Sequence, residues 1–324
     1  MTIGKMKLNK LFVACLLAVT LSVTLSACGE SDLEEEHEQL LDDAFAGAQN
    51  PALGSADPDP DADTDAGAEA EVPLPTSIDV SNYDLVFSDE FDGNSLDAEN
   101  WSTSLFSSDT VIFEQLQYYV DTQNAQQTLS SPFTFNGQSL TISATKTPDD
   151  DRADANEQPY LSGLLTSREV FNFTYGYIEA RVKVQAGLGI WPMFWMLGSN
   201  TDGISPEVYI FEYDGSKVNS VFHNYIYRDA ENNQRSNGQR EVQADSFSEG
   251  FQTVGLRWTP NELLYYVNGQ PSYRIIGENV PKENMYLTLN LAMGGNWPGA
   301  PDGTTPDPAT LEVDYVRIYQ EKSQ

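Results

Sequence analysis

The segment YGYIEARVKVQAGLGIWPMFWMLG, residues 175–198, carries the pattern that decides the fold class. Apolar and polar residues alternate through YGYIEARVKV, and Trp191, Met193 and Trp195 then alternate onto one face, which is the period of a β-strand. Similar runs recur as far as LEVDYVRIYQ, separated by Gly, Asn, Asp and Pro, and no helical period is sustained. This pattern predicts one all-β sandwich domain of two antiparallel sheets over residues 79–324.

Charge restricts the partners of the chain. Its 324 residues include 17 basic and 49 acidic residues, which gives a formal net charge of −32. Such a surface repels nucleic acid and anionic membrane faces. We therefore expect no nucleic-acid partner, and we expect the domain to be a monomer.

Two residue types are too scarce for several common kinds of site. Both cysteines, Cys15 and Cys28, precede the predicted domain, so the domain has no disulfide and no thiolate metal site. His223 is its sole histidine, which excludes a multi-histidine metal site, and no GxSxG motif accompanies it. Carboxylates and aromatic rings remain, and these are the groups that cleave glycosidic bonds and stack on sugars.

The N-terminus has the features of an export signal. Three lysines precede an apolar run at 11–25 that is too short for a comfortable membrane span. The run ends in LSAC, which resembles the lipobox of bacterial lipoproteins and implies cleavage after residue 27 and lipidation of Cys28. Gly29 replaces the aspartate of an inner-membrane retention signal, so we expect a lipid anchor in the cell envelope, at the outer membrane. The alternative is an ordinary secretory signal followed by an incidental cysteine.

Residues 28–78 are predicted to be a disordered acidic linker. Positions 29–78 contain 15 acidic residues and no Lys or Arg, with few bulky apolar residues. Such a composition does not bury enough surface to offset the entropy of ordering. We interpret the segment as a spacer that holds the domain away from a membrane. An acidic partner-binding tail is the alternative.

A pair of glutamates in EVYIFE, residues 207–212, is the candidate catalytic site. Glu207 and Glu212 lie five apart, so a regular strand would place them on opposite faces. A β-bulge near Ile210–Phe211 would bring both onto the face of Tyr209. Their backbones would then lie about 13 Å apart, and long side chains could approach to about 5–5.5 Å, the separation of a retaining glycosidase. Two unrelated surface charges are the alternative.

The residues around this pair resemble those of glycoside hydrolase family 16, the laminarinase and lichenase group. EVYIFE fits the family motif E-x-D-x-x-E except at its central position, and SDEFDG resembles the family's N-terminal signature. GLGIWPMFWMLG, GGNWPG and the ending TLEVDYVRIY also match family segments, so the resemblance covers roughly residues 83–320. It implies a β-jelly-roll with a concave substrate cleft.

The resemblance assigns roles residue by residue. Glu207 matches the nucleophile and Glu212 the general acid/base, while Tyr209 replaces the aspartate that helps to set their ionisation. A phenol can donate a hydrogen bond to Glu207 but adds no negative charge beside Glu212. We therefore expect reduced or retuned activity, with a more acidic optimum. Loss of hydrolysis is the alternative.

Other residues match binding positions of the family. The candidate sugar-binding residues are Trp191, Trp195, Tyr209, His223, Arg168 and Trp297. Core packing is the alternative for the first two tryptophans and for His223, and a carboxylate partner is the alternative for Arg168. The family's structural calcium site is matched by Glu90, Gly137 and Asp314, where a plain salt bridge is the alternative. No cofactor is expected to take part in catalysis.

The predicted function is that of a retaining endo-glycosidase acting on an extracellular polysaccharide. The laminarinase-like segments favour a β-1,3- or mixed-linked β-glucan, and a bacterial exopolysaccharide or a galactan is the alternative substrate. A surface glycan-binding lipoprotein with a disabled site is a different class of function, which Tyr209 favours. Transglycosylation is a third possibility, because hydrolysis and transfer share one covalent intermediate.

Overall fold

The computed structural model describes residues 77–105, 113–199 and 206–322. The predicted signal segment, Cys28 and nearly all of the acidic linker lie outside the described residues. Within the described ranges, no helix is both long and apolar enough to cross a membrane.

The described part of the chain consists almost entirely of β-strands, in two sheets, with one short 3₁₀ turn at Asp149–Asp151. The larger sheet has ten strands, in the hydrogen-bonded order β15-β14-β13-β7-β17-β4-β5-β2, with β1 beside β17 and β3 beside β4. Its strands are β1 (Tyr83–Asp89), β2 (Gln117–Tyr119), β3 (Phe133–Phe135), β4 (Leu140–Lys146), β5 (Tyr160–Ser162), β7 (Gly176–Val184), β13 (Gln252–Thr259), β14 (Glu262–Val267), β15 (Gln270–Ile276) and β17 (Ala309–Glu321).

The smaller sheet has seven strands, in the order β11-β10-β9-β8-β16-β6, with β12 beside β10. Its strands are β6 (Leu164–Thr166), β8 (Ile190–Gly198), β9 (Glu207–Glu212), β10 (Ser220–Arg228), β11 (Gln234–Ser236), β12 (Arg240–Gln243) and β16 (Met285–Met293). Neighbouring strands in both sheets are antiparallel, except that β2 and β5 run parallel. The predicted all-β, two-sheet architecture is confirmed.

The main core lies between the two sheets. The alternation predicted for β7 is observed: Ile178, Ala180 and Val182 are fully buried, and the residues between them are partly exposed. From the smaller sheet, Phe194 and Val208 enter the same core cluster. Removal of these side chains from water supplies the main force that holds the sheets together, about 1.5–3 kcal/mol for each large apolar residue.

A second apolar cluster covers the opposite side of the smaller sheet, which faces away from the larger sheet and is called the site face below. It contains Trp191, Met193 and Trp195 of β8, together with Tyr209 of β9 and Tyr286 of β16. Strand β8 is therefore buried on both sides, although it lies in an antiparallel sheet. The site face is thus a packed aromatic surface.

A close backbone contact fixes the chain where it leaves β9. The Gly215 amide donates to the carbonyl of Ile190 at 3.0 Å, and the Gly215 carbonyl accepts from the Gly187 amide at 2.9 Å. A Cβ atom on Gly215 would lie 2.2 Å from the Gly187 carbonyl oxygen, closer than unbonded atoms approach. Only glycine therefore fits here without a shift of the backbone.

We expect Gly215→Ala to lower the free energy of unfolding by about 1–3 kcal/mol, because the added methyl group must displace backbone atoms. Urea unfolding measures this change. Gly250→Ala is the matched control, since a Cβ atom there has no neighbour within 4 Å, and it should change stability by less than about 0.5 kcal/mol. Equal stabilities of the two variants would show that the contact is not restrictive.

Candidate active site

A β-bulge in β9 places both candidate glutamates on the site face. Opposite β10, the two residues Ile210 and Phe211 face the single residue His223, and the register with β8 shifts at the same place. Ile210 and Phe211 both enter the core between the sheets, so the strand changes phase there. Glu207 and Glu212 therefore share one face, and the predicted bulge is confirmed.

Tyr209 lies between the two glutamates and is held in place on one side. Its hydroxyl donates a hydrogen bond to the Glu207 carboxylate, an arrangement that the sequence allowed but did not decide. Its ring stacks on Trp195 with the ring centres 5.1 Å apart and the planes 8° from parallel. The Trp195 indole N–H in turn donates to the Asn290 side-chain oxygen at 2.9 Å. The phenol is thus a fixed donor to Glu207.

Glu212 has weaker polar partners. The Gln239 amide donates to its Oε2 atom at 3.3 Å. The Trp191 indole N–H lies near enough to lower the pKa of Glu212, but it does not meet the geometry of a full hydrogen bond. Glu207 therefore has a firmer donor than Glu212.

Burial is the main influence on the ionisation of both glutamates. It raises the pKa of Glu207 to about 7, against the lowering effects of the Tyr209 hydrogen bond and the positive charge of Arg228. It also raises the pKa of Glu212 to about 7, against Gln239 and Trp191, with a small further increase from the charge of Glu207. With no third negative charge beside it, Glu212 was predicted to have a smaller rise in pKa, but burial raises its pKa nevertheless. The predicted shift to a more acidic pH optimum therefore has no support here.

The three tryptophans predicted to stack on sugars differ in accessibility. Trp191 and Trp195 are each only 2% exposed, and Trp195 supports Tyr209. Trp297 is half-buried and packs edge-on against Trp191 and Phe222, with ring centres 5.5 and 4.9 Å apart. Trp297 is therefore the most accessible of the three, and its role as a sugar platform stays a prediction, whereas the other two tryptophans are packed into the apolar cluster of the site face.

The prediction that His223 binds substrate does not fit the structure. Its side chain is fully buried in the space between the sheets, where its ring lies 4.7 Å from the ring of Tyr265. Residues on β10 alternate, so Phe222 and Asn224 face the site side while His223 faces the core. The alternative, a structural histidine, describes its position.

Arg168 has protein partners near the site. Its guanidinium donates to the Leu105 carbonyl oxygen at 3.0 Å and lies 3.7 Å from a carboxylate oxygen of Glu169. The charges of Arg168 and Glu207 act in opposite directions on the pKa of Tyr286, which burial raises to about 12. The predicted carboxylate partner is present, and sugar binding by Arg168 stays a prediction.

The residues matched to a calcium site are engaged in ion pairs. Glu90 forms two hydrogen bonds with the Arg317 guanidinium, at 2.9 and 2.7 Å, and Asp314 is paired with Arg181. Gly137 lies in the turn between β3 and β4, with φ +80°. In the described ranges, no three His, Cys, Asp or Glu side chains gather around a common point. These groups do not fit a cation that requires several free oxygens, so the calcium site stays a prediction without support here.

Sequence reasoning missed several residues around the pair. Gln239, between β11 and β12, donates to Glu212, and Arg228, at the end of β10, acts on Glu207 through its charge; nothing in their sequence context marks them. Asn290 links Trp195 to the hydroxyl of Tyr119, to which it donates at 2.8 Å. Only the strand pairing brings these distant positions together.

Comparison with known proteins agrees with this geometry. A family model described as "Beta-porphyranase A-D, GH16 domain" matches residues 83–321. The chain belongs to glycoside hydrolase family 16. The match spans the two sheets and includes both glutamates, so the resemblance seen in the sequence is confirmed.

Individual relatives extend the comparison. Endo-1,3-1,4-beta-glycanase ExsH of Rhizobium meliloti (strain 1021) is 29% identical over 75% of this chain and 53% of that protein. Beta-glucanase of Rhodothermus marinus is 30% identical over 74% of this chain and 86% of that protein. The laminarinase catalytic domain of Thermotoga maritima MSB8 is 28% identical and covers 75% of this chain and all of that domain, with a TM-score of 0.64. The likeness confirms the predicted jelly-roll fold, although the chain spans only about half the length, or less, of several curated relatives.

The raised pKa of Glu212 gives a pH-dependent prediction for stability. A carboxyl whose folded pKa exceeds its unfolded value binds more protons when folded, so its contribution to stability falls as pH rises from about 4.5 to about 7. We expect Glu212→Gln to match the parent protein near pH 4 and to exceed its free energy of unfolding by about 3 kcal/mol at pH 8.

Urea unfolding across this pH range measures the effect. Glu249→Gln, at an exposed position, is the control for the loss of one negative charge on the surface. A constant difference between Glu212→Gln and the parent at every pH would contradict the assignment of a raised pKa.

Proposed function

We propose that the chain is a retaining endo-glycosidase that hydrolyses internal β-glycosidic bonds of an extracellular polysaccharide, most directly a β-1,3- or mixed-linked β-glucan. The observation that carries the proposal is the pair Glu207 and Glu212, which the bulge places on one face with pKa values near 7. Carboxyl groups of this kind act as nucleophile and acid/base near neutral pH.

The hydrogen bonds support one assignment of the two roles. Glu207 accepts from Tyr209, whose own pKa lies well above 10, so the phenol stays protonated as a donor and favours the carboxylate form of Glu207. Glu212 has weaker donors, so when only one of the two glutamates is protonated, the proton resides preferentially on Glu212. Glu207 then attacks the anomeric carbon while Glu212 protonates the leaving oxygen. Glu212 next deprotonates the water that releases the sugar from Glu207.

Tyr209 is compatible with this mechanism. The hydrogen bond that it donates stabilises the charge of Glu207, which lowers the energy of the ionised state and also reduces its strength as a nucleophile. We therefore propose slower but real hydrolysis rather than a disabled site. Both carboxyl groups are present and oriented on the site face, whereas a protein that only binds glycans requires neither.

The names of the relatives support the choice of substrate. Curated relatives are named endo-1,3-1,4-β-glycanase and β-glucanase, and the similar solved structures include laminarinases. A galactan is the second candidate, because the matching family model is described as a β-porphyranase. The half-buried ring of Trp297, which packs against Trp191 on the site face, could serve as a stacking platform for either polymer.

The first test is hydrolysis by the fragment of residues 79–324. Laminarin, mixed-linked glucan, agar, porphyran and a bacterial exopolysaccharide are each incubated with it from pH 4 to 9, and new reducing ends are measured. We expect products from laminarin or mixed-linked glucan. Glu207→Gln should release none, because an amide cannot form the covalent intermediate.

Other outcomes of this test point to other functions. Products longer than the substrate would indicate transglycosylation, and products from agar or porphyran alone would shift the proposal to a galactan. Retention on a polysaccharide gel without any product would overturn the enzyme proposal in favour of glycan binding.

A second prediction concerns the bond between Tyr209 and Glu207. Because that bond lowers the pKa of Glu207, we expect Tyr209→Phe to move the acidic limb of the kcat/KM profile to higher pH, by on the order of one unit. Tyr286→Phe removes a phenol from the same face without a hydrogen bond to either glutamate and is the matched control. An unchanged acidic limb in Tyr209→Phe would contradict the role given to the bond.

We further propose that the chain is anchored in the cell envelope, at the outer membrane, by a lipid on Cys28. The support is the LSAC sequence and the acidic spacer of residues 28–78. Labelled palmitate should be incorporated by the parent and by Cys15→Ser but not by Cys28→Ser, which should also lose its membrane association. Equal labelling of Cys28→Ser and the parent would refute the anchor.

A further inference from the structure

The bulge in β9 places the backbone carbonyl of one residue outside the regular pairing of the strands. Ile210 is the extra residue of the bulge, because neither β8 nor β10 supplies a partner position for it. Ile210 is fully buried, so water cannot satisfy its carbonyl oxygen. A buried carbonyl without a donor would destabilise this local geometry.

His223 supplies a side-chain donor to this carbonyl. Its Nδ1 atom lies 2.7 Å from the Ile210 carbonyl oxygen, and its Nε2 atom lies 2.9 Å from the hydroxyl of Ser272. A carbonyl oxygen only accepts, so Nδ1 carries the proton and Nε2 accepts from Ser272. Burial lowers the pKa of His223 to about 4, which keeps the ring neutral in this tautomer near neutral pH.

The histidine also ties the bulge to the opposite sheet. Ser272 lies on β15, and the ring of Tyr265, on β14, packs against the imidazole. The Tyr265 hydroxyl donates to the carbonyl oxygen of Asn224, the residue after His223, at 3.1 Å. The position of the bulge is therefore fixed by contacts from both sheets.

We propose that His223 is a positioning residue for catalysis: by holding the Ile210 carbonyl it fixes the bulge and keeps Glu212 in phase with Glu207. The expected change in kcat rests on the proposed glycosidase activity. The expected effect on the position of Glu212 does not. Nothing in His223 touches the substrate, since its side chain lies on the core side of the sheet.

Two substitutions separate positioning from simple packing. His223→Leu fills much of the space but donates nothing to Ile210. His223→Asn is smaller, yet its Nδ2 atom stands the same number of bonds from the backbone as the Nδ1 atom of histidine and can donate to the same carbonyl. We expect His223→Leu to lower kcat about 100-fold with KM within about twofold, because a displacement of about 1 Å in a catalytic group has effects of this size. His223→Asn should recover most of the lost kcat.

Stability is measured beside the kinetics. Ile142→Val, in the same core but on β4, is the control for a loss of stability alone and should leave kcat of the folded protein unchanged. The positioning role is overturned if His223→Leu has the kcat of the parent after correction for the fraction of folded protein. It is also overturned if the kcat of His223→Asn is no higher than that of His223→Leu.

A crystal structure of His223→Leu gives a readout that needs no activity. We expect the Glu212 carboxyl to be displaced relative to Glu207, with a changed pairing between β9 and β10, and His223→Asn to retain the parent arrangement. An unchanged Glu212 in His223→Leu would overturn the inference. If the parent hydrolyses none of the polymers, the proposed function fails, and this structural comparison still decides the inference.

Discussion

A strand has a period of two, and the two glutamates lie five residues apart, so one extra residue must be accommodated between them before they can act together. The bulge at Ile210 is that residue. It pushes two successive side chains, Ile210 and Phe211, into the core, where apolar burial stabilises them. The same packing that completes the core therefore sets the geometry of the site, and neither can change independently of the other.

Burial is the second consequence of this arrangement. Strand β8 is buried on both sides, so the glutamates of the neighbouring β9 lie on a face covered by aromatic rings rather than by water. Loss of water, more than the repulsion between the two carboxylates, raises their pKa values toward 7. Coulomb repulsion alone would separate the two values, whereas desolvation raises both, so the asymmetry of the pair has to come from hydrogen bonds. The Tyr209 hydroxyl provides it at Glu207.

Most of the fold could be predicted from the sequence, because the alternation in β7 and the turn residues between strands are local signals. The bulge was also predictable, because Glu207 and Glu212, five residues apart, can share one face of a strand only if one extra residue is inserted between them. The side of the sheet on which His223 lies was not predictable, because the register of β10 against β9 depends on that bulge and on contacts with Ser272, 49 residues away. The ion pairs of Glu90 and Asp314 depend on strand pairing in the same way.

Tyrosine at position 209, in place of the aspartate of the family motif, suits the same low-dielectric surroundings. A third carboxylate between Glu207 and Glu212 would bring another charge onto a buried face and would raise the pKa values of its neighbours further. A phenol avoids that charge and still offers one donor, and its ring replaces water with a stacked contact on Trp195. The Tyr209 hydroxyl, however, already stabilises Glu207, the proposed nucleophile, before the reaction begins. Catalysis benefits only from interactions that become stronger in the transition state. In the proposed mechanism, the bond from Tyr209 weakens as Glu207 gives up its charge to the sugar, so tyrosine at this position favours the ionised form of Glu207 at the expense of rate.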